Sequence, residues 1–113
     1  MAPPHDAPDA AELVAAVREF LRDEVLPTAQ DRVRFHCLVA ISALAMVERE
    51  MELGPAQAAA HRERLAALGF DGDAELAAAI RTGLLDDRRP EVETALLDAV
   101  RAKLAVANPA YLE

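Results

Sequence analysis

The sequence has little from which to build strands or a covalently stapled fold. It holds four glycines, no tryptophan and 4% aromatic residues. No Asn-Gly or Gly-Gly pair supplies the tight hairpins that an all-β chain of this length needs. Its single cysteine, Cys37, excludes an intramolecular disulfide and a cysteine metal cluster, and fits a reducing compartment. No stretch reaches 18 uncharged apolar residues, and the N-terminus lacks a basic segment followed by an apolar one, so neither a membrane span nor a secretory leader is expected. Cations are also scarce, at 12 Lys and Arg against 20 Asp and Glu, a formal net charge of −8. The segments 1–27, 28–54, 55–83 and 84–113 are each net negative. Such a surface repels phosphate backbones and anionic lipid headgroups, which excludes nucleic acid and membrane as expected partners. A cytoplasmic location is the expectation.

What is present is alanine. The 113 residues include 26 Ala, which leaves 34 larger apolar side chains (Leu, Val, Ile, Met, Phe, Tyr and Cys). That suffices for one small domain burying roughly two thirds of its unfolded surface. The breaks fall at Pro and Gly. Residues 1–8, with three prolines and no periodicity, read as a flexible N-terminal arm, and 9–113 as a single helical domain. A first helix is predicted over 10–25, opened by a capping box of Asp9 and Glu12 and stopped by Pro27. Leu13, Val14, Val17, Phe20 and Leu21 form its apolar stripe, with Arg18, Glu19, Arg22 and Asp23 on the other side.

The second helix, predicted over 30–53, is long and central, roughly 36 Å at 1.5 Å per residue. Val33, Cys37, Ala40, Leu44, Val47 and Met51 follow the 4-3 rhythm of a coiled-coil seam. Phe35, Leu38, Ala45 and Met46 lie opposite, so the helix is expected to be covered on more than one side. Gly54 as a left-handed cap and Pro55 as a helix start predict a break there. A third helix follows over 56–68, a fourth over 74–82 capped by Asp73, and a fifth over 91–107 opened by Pro90. Tyr111 and Leu112 are apolar enough to dock back on the body. The fold class is all-α: a compact bundle of about five helices with a long central second helix.

Chemistry-bearing motifs are missing. Glu-x-x-His is absent, since the residues three before His5, His36 and His61 are Ala2, Val33 and Ala58. Asp71, Asp73 and Glu75 imitate a calcium loop, but the sixth position is Leu76 rather than Gly and the twelfth is Thr82 rather than Glu. His36 and Cys37 are adjacent, so on a helix their side chains diverge by about 100° and form no dyad. No catalytic residue, metal or cofactor is expected. His36 is expected as a hydrogen-bonded core histidine, with a pH-sensitive switch or a ligand contact as its functional alternatives, and His61 as a boundary residue bonding a neighbouring helix. Arg49 is expected at a solvated helix end, or else as an anion clamp. Leu13, Val17, Phe20, Phe35, Leu38 and Met46 are candidate interface residues, because 34 large apolar side chains cannot both cover the second helix and fill the other seams. Arg34, His36, Arg49, Arg101 and Lys103 are candidate ligand or anion contacts.

Three stretches carry a resemblance: AAELVAAVREFL at 10–21, RFHCLVA at 34–40 running into ALAMVERE at 43–50, and VRAKLAVANPAYL at 100–112. Together they resemble a family of short actinobacterial and proteobacterial proteins known as a domain of unknown function. Its members tend to be encoded beside aminoglycoside- and choline-kinase-like phosphotransferases and acyl-CoA dehydrogenases. The resemblance implies a setting in acyl-CoA or hydroxyacid catabolism and supplies no catalytic residues. Beside it, the residues themselves favour a non-catalytic accessory subunit that binds the kinase-like protein, the dehydrogenase or a second copy of itself. The alternative is a helical pocket for a small acyl or anionic metabolite, held by Arg34, Arg101 and Lys103.

Overall fold

In the computed structural model, which describes residues 8–113, the described residues form α-helices and short π and 3-10 turns, with no strand. The α-helices are α1 (Ala10–Phe20), α2 (Asp31–Leu68), α3 (Asp73–Arg81) and α4 (Arg89–Ala107). The expected arm over 1–8 lies, Pro8 apart, outside the described residues. The chain divides into two compact units, Met1–Glu52 and Leu53–Glu113, and α2 runs through both.

Four α-helices replace the expected five because the predicted break at Gly54-Pro55 does not occur. α2 continues through it for 38 residues, about 57 Å at 1.5 Å per residue. The left-handed glycines are Gly69 and Gly83; Gly54 is not among them. A residue before proline is normally driven out of the α region by a clash involving its own Cβ, and glycine at 54 has none. The pair read as a stop therefore permits a helix to pass.

In the first unit, Asp9 caps α1 as expected: its Oδ1 accepts from the Glu12 amide at 2.8 Å, and Glu12 Oε1 accepts from the Asp9 amide at 3.3 Å. Regular α-helix ends at Phe20, earlier than predicted, and a π turn over Leu21–Val25 and a 3-10 turn over Leu26–Thr28 follow. The Leu26 amide bonds the Leu21 carbonyl five residues back. Pro27 accounts for this, since its ring collides with the carbonyl four residues earlier and the backbone relieves the clash by widening. Asp31 then starts α2 with φ at 51°, a left-handed value that Asp tolerates better than most residues.

The covered surfaces of α1 and α2 are narrower than amphipathic patterning predicts. Val14, Arg18, Leu21 and Val25 are half-buried on one strip; Ile41, Leu44 and Glu48 are half-buried and Cys37 buried on the other. Both follow a 4-3-4 spacing, the seam of a two-helix contact. The expected α2 seam is thus displaced: Cys37 and Leu44 belong to it, but Val33, Val47 and Met51 are exposed. Arg18, expected on the outer side of α1, lies in the covered strip and forks onto Glu48, with Nε on one oxygen and Nη2 at 3.3 Å from the other. Its aliphatic stem covers apolar surface that a leucine would otherwise have to cover. His36 is exposed rather than in the core; its Nε2 accepts from Arg32 Nε at 3.4 Å and its ring meets Phe35 edge-on.

The second unit holds the apolar core: Leu65, Leu68, Leu76, Ala79, Leu85 and Val92, with Phe70 and Ala95 packed against it. Two Schellman turns shape it. At the end of α2 the Phe70 amide bonds Leu65 O at 2.9 Å and the Gly69 amide bonds Ala66 O at 3.0 Å, with Gly69 at φ 94°. After α3 the same pattern recurs around Gly83, with Leu84 N to Ala79 O at 3.1 Å. Arg88 finishes the α2 terminus by donating to the carbonyls of Leu68 at 3.1 Å and Ala67 at 3.4 Å, where a cation meets the negative end of the helix dipole. Gln57 Nε2 ties α2 to α4 through Ala102 O at 2.8 Å. Pro90 falls in the first turn of α4, as expected. Tyr111 and Leu112 do not dock; both are exposed on a short 3-10 turn.

Candidate functional site

The expected anion contacts are divided between the units, Arg34, His36 and Arg49 in the first and Arg101 and Lys103 in the second. Arg34 Nη1 donates to Leu26 O at 3.1 Å, which fixes the entry into α2. Arg101 approaches Asp98 at 3.9 Å on the same helix. Lys103 is exposed two residues further on, so it projects about 200° around α4 from Arg101. Arg49 is half-buried on α2, and His36 is held by Arg32.

A different arginine lines a partly open hollow. In the second unit a cavity of about 80 Å³ is walled by Leu65, Leu68, Leu76, Ala95, Leu96 and Ala99, with His61, Arg64 and Asp73 as its polar members. His61 Nε2 stands 2.7 Å from Asp73 Oδ1, and Arg64 Nη2 stands 3.3 Å from His61 Nδ1. Guanidinium can only donate, so Nδ1 accepts and the ring hydrogen sits on Nε2, pointing at Asp73. Both ring nitrogens are occupied. As arranged, His61 offers no lone pair to a metal or a reacting proton. It bonds α3 from α2, the role expected of it.

Asp73 was expected to cap α3. Instead Gly72 holds the N-cap position with no side-chain bond, and the Asp73 carboxylate is engaged by His61. This leaves one anomaly. Arg64 Nε is buried without a hydrogen-bond partner, the one such side-chain nitrogen or oxygen among the described residues. An unsatisfied buried donor costs about 1–3 kcal/mol. Sequence reasoning missed Arg64 because on α2 it reads as one cation of the charged run Arg62-Glu63-Arg64. Its spacing from His61 and Leu68, which puts all three on one helix face, is the signal that could have found it.

The candidate interface residues are all solvent-exposed. Leu13, Val17 and Phe20 stand at i, i+4 and i+7 on α1, outside the covered strip. Phe35, Leu38 and Met46 lie on α2, with Phe35 63% exposed. Val33, Val39, Val47 and Met51 extend the exposed apolar surface of the same helix.

Elsewhere in the second unit, Ile80, Leu85, Asp86, Arg89 and Val92 line a broad open groove, with Arg89 held by Glu93 at 3.0 Å. Among the described residues no group of three or more His, Cys, Asp or Glu is placed to hold a metal, and no helix is long and apolar enough to cross a membrane. Neither the curated proteins nor the solved structures yield a match to this chain. One family does match, over residues 27–111, and the chain belongs to it: the family described as Domain of unknown function (DUF6285).

Proposed function

We propose that this protein is a non-catalytic accessory subunit that docks onto a protein partner through the exposed apolar faces of α1 and the N-terminal part of α2. The observation that carries the reading is the exposure of Leu13, Val17, Phe20, Phe35, Leu38 and Met46 together in a unit whose one buried described residue is Cys37. Monomeric proteins seldom leave apolar patches beyond a few hundred Å² in water, and larger ones mark interfaces. Aromatic and methionine side chains such as Phe20, Phe35 and Met46 are types enriched in the centres of such interfaces. The partner favoured by the sequence resemblance is a phosphotransferase-like kinase, in a bacterial cytoplasmic setting of acyl-CoA or hydroxyacid catabolism that also involves an acyl-CoA dehydrogenase.

The test uses Phe35→Glu and Met46→Glu in the full chain. Both positions are exposed, so the far-ultraviolet helical signal stays as in the parent protein. Capture of the kinase-like neighbour, purified and presented alone, is expected for the parent and lost in both variants. Light scattering that shows a dimer in the parent and a monomer in the variants would assign the face to self-association instead. If both variants bind the neighbour as the parent does, the reading fails.

A further inference from the structure

We propose that one side of the α1–α2 hairpin is a self-association surface, on which a second copy of this chain packs to complete an antiparallel four-helix bundle. The inference rests on the docking reading only in taking the exposed apolar faces as interfaces, and it divides them. The side carrying Val17 and Phe20 goes to the second copy, while Phe35 and Met46, nearly opposite the covered strip of α2, stay outward for the partner.

Two apolar strips share that side. Cys37 Sγ donates to Leu21 O at 3.5 Å near the turn and Arg18 meets Glu48 farther out, so α1 and α2 run antiparallel. At about 100° per residue, Leu13, Val17 and Phe20 are centred about 100° around α1 from its covered strip. Val33, Val47 and Met51, with Ala40 and Ala43 among them, are centred roughly 75° around α2 from its own strip, in the same rotational sense. A two-fold axis normal to their plane relates two antiparallel neighbours, so offsets of one sense fall on one side. The six larger residues of this side are each 38 to 61% exposed.

Burial, size and charge select a second copy as the cover. Cys37 is the one buried described residue of Met1–Glu52, and two helices with so little core gain too little from burial to offset the ordering of the chain. The cover has to be present whenever the chain is folded, and another copy always is. A two-fold axis parallel to the helices sets α1 of each copy against α2 of the other at the same level. Val17 and Phe20 then stand over Ala40 and Ala43 of the other copy, and large residues facing small ones interdigitate. The same pairing brings Glu24 beside His36 and Arg32 of the other copy. Glu24 is exposed and has no ion pair among the described residues, and Arg32 bonds His36 but no carboxylate. At the far end Glu50 comes over the first turn of α1, where the helix dipole is positive and Asp9 and Glu12 already accept amide hydrogens.

The experiment is sedimentation equilibrium on the full chain from micromolar to submillimolar concentration, with circular dichroism beside it. The parent is expected at twice the mass of one chain. Phe35→Glu and Met46→Glu should stay dimeric, because both positions point away from the second copy. Val17→Glu should weaken the dimer by about a hundredfold or more, since it buries an unpaired charge at two equivalent positions. Arg32→Glu, which sets like charges together, should weaken it by about tenfold, and adding Glu24→Arg should restore it. A glutamate suits the first turn of α2 and an arginine the end of the segment before it, so the exchange keeps the fold. If Val17→Glu loses its helices, the exchange series decides. The proposal is overturned by a monomeric parent over the whole range, by an undiminished dimer in a folded Val17→Glu, by a dimer lost in Phe35→Glu and Met46→Glu, or by an exchange that fails to restore association. None of these outcomes reads capture of the kinase-like neighbour, so the docking reading stands or falls by that measurement separately.

Discussion

Removing Pro55 should stabilise this protein, although proline substitutions at loop and turn positions usually do the reverse. Pro55 sits inside α2 with no amide hydrogen to give the Met51 carbonyl. An interior proline costs a helix about 3 kcal/mol relative to alanine. Proline also restricts the unfolded chain, which returns up to about 1 kcal/mol, so Pro55→Ala should gain about 2 kcal/mol. For a chain of this size that corresponds to a rise of about 8 °C in the thermal midpoint, followed by circular dichroism at 222 nm. Gly54 sharpens the test. In the Pro55→Ala background, Gly54→Ala should add about 1 kcal/mol, the usual difference in helix propensity. With Pro55 present the same change introduces the Cβ that clashes with the proline ring, and the gain should vanish or reverse. The double-mutant cycle therefore shows coupling of about 1 kcal/mol or more between adjacent positions. A lower midpoint for Pro55→Ala, or an equal Gly54→Ala gain in both backgrounds, would refute a helix that passes unbroken through 54 and 55.

Acid should weaken the second unit only once the pH falls below the ordinary carboxylate range. The Arg88 guanidinium, hydrogen-bonded to Glu91, holds that carboxyl below its ordinary value. A depressed folded-state value means the contribution is complete above the ordinary carboxylate range and is lost as pH falls from there through the depressed value. Glu91→Gln should flatten that decline in acid denaturation curves, and an unchanged curve would count against the pair. Core and surface leucines should separate cleanly: Leu76→Ala, at a residue 6% exposed, should cost about 2–5 kcal/mol in urea unfolding, whereas Leu84→Ala, at 72%, should stay within about 0.5 kcal/mol. Comparable losses at the two positions would mean that the core is misplaced.

Helix identity was legible in this sequence wherever a cap or a breaker acts through its own backbone. Asp9 with Glu12, Gly69 and Gly83 behave as local rules dictate, because each satisfies an orphan amide or carbonyl within a few residues. Gly54-Pro55 defeats the same rules, since glycine lacks the Cβ with which the proline ring would collide at an ordinary preceding residue. The faces were harder to read. A stripe of Leu13, Val14, Val17, Phe20 and Leu21 is broader than the strip another single helix can cover, so the contact takes Val14 and Leu21 and leaves the other three in water. Arg18 replaces them inside the strip because Glu48 meets it there, a pairing across 30 residues that no local pattern contains.

The same limit hid Arg64. His61 and Arg64 share a turn of α2, but what distinguishes Arg64 from the neighbouring Arg62 is a carboxylate on α3 and alanines on α4 that arrive only when the second unit folds. A cation run gives no hint of which member will be enclosed. Small residues at Ala95 and Ala99 leave the space that larger ones would have filled. The high alanine content, which at first only subtracts from the apolar count, therefore has two consequences that differ by unit. In the first, alanines such as Ala40 and Ala45 contribute little to covering α2, and the large side chains around them stay in water. In the second, the alanines Ala95 and Ala99 line a small hollow together with Arg64, so a deficit of packing becomes open space.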